Sequence, residues 1–167
     1  MILRNCFLAG LLITTALVTP AYSRTNADAE IEASLNHLVT ALNARDINGI
    51  MKFYVSDESV FIFDAILPRQ YIGATALRKN WRNFLAAYPT TIHAEVSDWQ
   101  IEAEGNLAYG HGLFRVTGVD KEGKSLDITT RVTYVFKKIN GKWLAVHEHG
   151  SWPVDWATGK ADVHSKP

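Results

Sequence analysis

The run Thr129-Thr-Arg-Val-Thr-Tyr-Val-Phe-Lys-Lys-Ile-Asn-Gly-Lys-Trp-Leu-Ala-Val-His-Glu-His-Gly-Ser-Trp-Pro153 decides how this chain folds. Two stretches rich in β-forming residues flank Asn140-Gly141. That pair tolerates the positive φ angles of a type I′ turn, so the run predicts a β-hairpin. A strand turns alternate side chains to opposite faces. Thr129, Arg131 and Thr133 therefore share one face of the first strand, and His147 and His149 share a face of the second. An arginine and a histidine pair are more chemistry than a core needs.

Working back from the hairpin, residues 91–103, 107–119, 126–139 and 142–152 read as four long strands. Glu104-Gly-Asn106, Asp120-Lys-Glu-Gly123 and Asn140-Gly141 separate them. Consecutive strands with short turns make an antiparallel meander. Upstream the period changes. Ile31, Leu35, Leu38, Val39 and Leu42 form one apolar stripe of a helix over 26–44. Asp46 is a good N-cap for a second helix over 47–54. Ser59-Val-Phe-Ile-Phe-Asp64 is a compact strand, 69–72 is a short extended piece, and 74–87 is a third helix that Pro89 ends. Helices first and strands later indicate an α+β fold. We expect a long, curved antiparallel sheet wrapped around three N-terminal helices, a cone with one open end.

The first residues are read as a processing signal. Arg4 supplies a positive charge, 7–18 is an apolar run, and Thr19-Pro-Ala-Tyr-Ser23 resembles a cleavage site. The run is short for a membrane span; an uncleaved anchor is the alternative. Cleavage after Ser23 removes 23 of 167 residues, leaving a single domain over 24–154 and a polar, loose tail over 155–167. The chain has 17 basic and 17 acidic side chains, and Arg4 is the one that leaves with the signal. No positive excess exists to hold nucleic acid or, after cleavage, an anionic membrane. The sole cysteine, Cys6, leaves too, so no disulfide framework is available. A periplasmic or secreted location fits.

The order of elements resembles the nuclear transport factor 2-like superfamily, also described as cystatin-like. Within it the chain is similar to the SnoaL-like and ketosteroid isomerase-like branch over about 27–154. Phe53-Tyr54 with Ser59 to Asp64, Tyr71-Ile-Gly73 before the Trp81 helix, Gly112-Leu-Phe-Arg-Val-Thr117, and Thr130-Arg-Val-Thr133 with the hairpin carry the resemblance. The last two pieces also resemble the association domain of calcium/calmodulin-dependent protein kinase II, a non-catalytic member. The resemblance implies pocket arginines at Arg115 and Arg131. It also implies a general-base aspartate at Asp64. The isomerases' first-helix tyrosine has no counterpart here, which argues against steroid isomerisation itself. This scaffold hosts isomerases, cyclases, dehydratases and binding modules, so fold alone does not give the reaction.

Three constellations follow. Tyr109, His111, Leu113, Arg115 and Thr117 share a strand face. If that face lines the cone, Arg115 and Arg131 converge on an anion, best a carboxylate. The alternative is that they pair with acids such as Glu102 or Asp127, or lie on a solvated outer face. Asp64, at the end of an apolar strand, suits a general base whose substrate His111 or Tyr109 polarises, or else caps a turn. His147 and His149 could ligate a metal with His111, or bond to tyrosines and Ser151. Tyr54, Tyr71 and Trp81 fall where the helices should close the cone, as ligand wall or as core.

The leading reading is an exported pocket protein for an apolar ligand with an anionic group, with isomerase- or cyclase-like proton transfer. A hub-like binding module and a metal-assisted enzyme are the alternatives. No motif indicates a cofactor. Val132, Tyr134 and Phe136 alternate with Arg131, Thr133 and Val135, leaving apolar groups on both faces of one strand. A homodimer packed through the sheet is expected.

Overall fold

The computed structural model describes residues 25–164; the expected signal peptide over 1–23 lies outside them. Helix α1 is Asn26–Asn43, α2 is Ile47–Met51 and α3 is Ala74–Ala87. The strands are β1 Phe61–Phe63, β2 Tyr71–Ile72, β3 Thr91–Glu104, β4 Leu107–Val119, β5 Ser125–Ile139 and β6 Lys142–Ser151. One six-stranded sheet has the order β2-β1-β6-β5-β4-β3. The fold is α+β, a curved and unclosed sheet around N-terminal helices.

The predicted meander is present: β3 to β6 pair antiparallel in sequence order. Asn140 and Gly141 both have positive φ, 49° and 77°, as a type I′ turn requires. The sheet is not wholly antiparallel, however. β1 runs parallel to β6, with Phe61 opposite His147, Ile62 opposite Glu148 and Phe63 opposite His149. The chain reaches β1 through loops and not through a hairpin, so nothing local dictates its direction.

Helix α1 starts where Thr25 and Asp28 form a reciprocal capping box. Its stripe of Ile31, Leu35, Leu38 and Leu42 is buried against the sheet. Arg45 then adopts a positive φ of 59°. Its guanidinium donates to the carbonyls of Tyr88 and Leu85, tying the end of α1 to the end of α3.

Helix α2 is shorter than the expected 47–54. Past Met51 the backbone is committed elsewhere. Val55 N–H donates to the Ala145 carbonyl at 3.0 Å, and Ala145 N–H donates to Phe53 at 2.9 Å. These bonds hold Phe53 at the centre of the core. Its ring meets Tyr54, Tyr134 and Phe136 edge-on, with centroids 5.0–5.6 Å away.

The tail is also less loose than its composition suggests. Residues Val154 and Ala161 bridge, Asp155 organises the turn between them, and Thr129 N–H donates to the Val163 carbonyl. Residues 155–163 therefore fold back along the start of β5, leaving Trp156 exposed at the turn.

Candidate functional site

The inner face of the sheet, α3 and the segment after β1 enclose a cavity of about 550 Å³. Strand parity builds its floor. Phe114 and Val116 come from β4, Ile128, Val132 and Tyr134 from β5, and Glu148 from β6. Trp81 and Phe84 of α3 form the opposite wall, with Trp152 beyond β6. The lining contains two acids, Asp64 and Glu148, and no lysine, arginine or histidine.

Asp64 lies one residue past β1, where the parallel pairing with β6 ends. Burial raises its pKa above the usual carboxylate value. Its hydrogen bonds are long, 3.4 Å from Ile66 N–H and 3.3 Å from Asn80 Nδ2, so they offset burial only in part. Tyr71, also in the lining, has its own pKa raised by burial and then by the charge of Asp64.

Glu148 stands opposite Ile62 in the parallel pair, so both point inward. Burial, with the Asp64 charge adding to it, pushes its carboxyl up to about 7. The Tyr54 hydroxyl donates to Glu148 Oε2 at 2.6 Å and restrains that rise. Tyr54 and Tyr134 are themselves held well above the ordinary phenol range, by burial first and the Glu148 charge second. Both stay protonated. The Trp81 indole lies near the Tyr54 hydroxyl, but its buried N–H makes no hydrogen bond of good geometry.

The Asp64 charge thus reaches Glu148 in an apolar space. Both carboxyls hold their protons to higher pH than an ordinary carboxylate. A general base and a general acid need one carboxyl that ionises and one that keeps its proton.

Several sequence-selected residues lie elsewhere. Arg115 is on the outer face. Its Nε and Nη2 donate to both carboxylate oxygens of Asp127 at 2.8 and 2.9 Å, and Nη1 donates to Glu95 at 3.0 Å. These acids raise its pKa further. Arg131 is exposed on the same outer face, opposite Leu113 and Ser151. The two arginines therefore do not converge inside the cone, and the expected anion pocket is corrected. The cause is parity: the face carrying Phe114, Val116 and Val132 is the more apolar, and burial turns it inward.

His147 and His149 are outward too, among Phe61 and Phe63. Nδ1 of His147 lies 2.7 Å from the Phe61 carbonyl. The proposed third ligand, His111, is opposite Thr133, and Thr133 is opposite His149. A whole strand, roughly 5 Å on each side, separates the two histidines. Among the described residues no group of three or more potential ligands could hold a metal ion. Tyr109 and His111 stack on each other outside the cone, with ring planes 13° apart, and cannot polarise a substrate bound beside Asp64.

Sequence reasoning missed Glu148. It sits between two histidines that drew attention to the opposite parity. The available signal was that Glu148 shares a strand face with Gly150 and Trp152, the parity opposite to the two histidines.

These features place the chain among known proteins. Residues 31–155 match the SnoaL-like domain model, and the chain belongs to that family. A nuclear transport factor 2-like protein of unknown function from Pseudomonas putida KT2440 is 31% identical, with a TM-score of 0.74 over 84% of this chain and 96% of that one. A nuclear transport factor 2-like superfamily protein from Salmonella enterica serovar Typhimurium shares 19% identity and a TM-score of 0.70, over 80% of this chain and 96% of its own. A proposed calcium/calmodulin-dependent protein kinase II association domain from Xanthomonas campestris shares 19% identity and a TM-score of 0.65, covering 84% and 96%. The last two show the fold alone. Among proteins of curated function, none matches the sequence.

Proposed function

We propose that the cone is an acid–base site for an apolar, uncharged small molecule bearing a carbonyl group. Asp64 removes a proton next to that carbonyl. Protonated Glu148 and the Trp81 N–H receive the developing oxyanion, with isomerase- or cyclase-like outcome. The observation that carries this reading is a half-buried pair of carboxyl groups, both raised in pKa, lining a cavity without a basic side chain. A carboxylate ligand, the expectation from Arg115 and Arg131, would enter that cavity without a counter-charge.

The test is a thermal-shift screen of cyclic ketones against carboxylic acids of matching shape, followed by deuterium exchange at the ketone α-carbon. Ketones should stabilise the protein, and exchange should depend on Asp64. Preferential stabilisation by the carboxylates would overturn the proposal. Binding without exchange would leave a hub-like binding module.

Export with cleavage after Ser23 is part of the same proposal, supported by the N-terminal pattern. No helix among the described residues is long and apolar enough to cross a membrane. A homodimer through the outer face is supported by the exposure of Phe63 there.

A further inference from the structure

A second cleft, of about 410 Å³, opens outside the cone where the start of α1 meets the sheet edge formed by β3 and β4. Asp28, Glu32, Glu102, Trp99, Tyr109 and His111 line it. Three of these are carboxylates, and no lysine or arginine is among its lining residues. A cluster of acids on a surface is ordinarily just solvated. Two further observations set this one apart.

The first is Asp28, which is only 4% exposed. Its Oδ2 accepts the Thr25 N–H of the capping box, but Oδ1 has no hydrogen-bond partner. The second is Trp99, whose buried indole N–H also has none. Buried polar atoms in native proteins are nearly always satisfied, and exceptions call for an occupant. Here an unused acceptor and an unused donor line the same cleft.

Trp99 is also fixed in place. The register of β3 against β4 slips between Ser97 and Gln100, and Asp98 takes a positive φ of 52°. This bulge turns Trp99 onto Gly110 and Gly112. A Cβ at those two positions would lie 2.8 and 2.5 Å from the ring. The glycines make the trough that holds the indole.

We propose that this edge cleft binds a small primary-ammonium cation that also carries a hydroxyl group. The ammonium donates to Asp28 Oδ1, with Glu102 adding negative potential and the aromatic rings of the cleft adding cation–π attraction. The hydroxyl oxygen accepts from Trp99 Nε1. A metal ion is not the favoured guest, because no group of three or more ligands in the described residues could hold one.

The test uses three probes of one shape: 2-amino-1-phenylethanol, its neutral diol 1-phenyl-1,2-ethanediol, and the anion mandelate. Titration is followed by the assigned tryptophan indole resonances in ¹H–¹⁵N spectra of the mature protein. The amine should shift the Trp99 resonance with an affinity about tenfold or more above the diol, and mandelate should not bind there. Raising the salt to about 0.5 M should weaken the amine. Asp28→Asn, which keeps an oxygen for Thr25, should weaken it by about tenfold, and exposed Glu102→Gln by a few-fold. If Asp28→Asn fails to fold, Glu102→Gln and the diol still decide. Equal affinity for amine and diol, indifference to both substitutions, or shifts confined to Trp81 and Trp152 in the cone would each overturn the proposal.

Discussion

The sheet presents charged groups on both faces, and the two faces treat them in opposite ways. Outside, Arg115 is matched by two carboxylates at hydrogen-bond distance, half open to water. Its charge is satisfied and its chemistry quiet. Inside, Asp64 and Glu148 share a space without a single cationic side chain. Burial opposes their charge, and at Glu148 the Asp64 charge adds to it, which moves that carboxyl to about 7. Charged residues are no guide to a site by their presence alone; an acid partly kept from water with no cationic partner is.

The largest test of this contrast is catalytic. For whatever ketone the screen selects, Asp64→Asn should slow turnover by about 10²–10⁴-fold while the fold persists. The pH dependence has a fixed sign. Activity should rise as Asp64 ionises, above its ordinary carboxylate range, and fall as Glu148 loses its proton near 7. Tyr54→Phe removes a bond that favours ionised Glu148, so the alkaline limb should move to higher pH. An alkaline limb unmoved by both Tyr54→Phe and Glu148→Gln would detach Glu148 from the reaction.

The second test reads stability. Unfolded, Glu148 titrates near its ordinary 4.5; folded, near 7. Below 4.5 both states hold the proton. Between 4.5 and 7 only the folded state keeps it, so stability falls as pH rises and levels off above 7. The shift corresponds to roughly 3 kcal/mol at most. Glu148→Gln should flatten this slope and leave the variant more stable than wild type at pH 8, with little difference near pH 4. Denaturant unfolding at the two pH values measures it. A parallel slope in both proteins would mean that the inner face does not isolate its acids.

How much of this could be read in advance divides along the same line. The elements, their order and the Asn140-Gly141 turn were legible because periodicity and turn chemistry are local. The strand-end position of Asp64 was legible because a strand end beside aromatic residues is a local feature too. The orientation of the sheet was not. Period two says that Arg115 and Tyr109 share a face, but which face is buried depends on what the helices cover. Gly110 and Gly112 lie on the inner parity of β4, with no side chain to mark it as a core face. In the folded chain these two are where the Trp99 ring lies. The direction of β1, and with it the meeting of Asp64 and Glu148, depends on a long-range pairing that no local pattern carries.

The glycine trough supplies the third test. Gly112→Ala places a methyl about 2.5 Å from the Trp99 ring and 2.8 Å from the Ser97 carbonyl. The backbone contact cannot be relieved by a side-chain rotation. Overpacking of this kind costs about 1–3 kcal/mol. Chemical denaturation should show that loss, with the Trp99 indole resonance displaced. Wild-type stability in the variant would mean that the β3 edge is soft enough to move away.

The smallest effect is expected at Arg115, and its smallness is the point. Inside a pocket, removing an arginine that holds a ligand would cost much of the binding. On the outer face, Arg115→Ala leaves Asp127 and Glu95 in water, where solvent replaces the guanidinium. The thermal midpoint should fall by no more than about two degrees. Affinity for a cone ligand and the pH of the alkaline limb should not change. Asp64→Asn provides the internal control, since it must alter both if the inner face carries the chemistry. A large loss of ligand affinity in Arg115→Ala, with Asp64→Asn silent, would reverse the assignment of the two faces and restore the outer one as the binding surface.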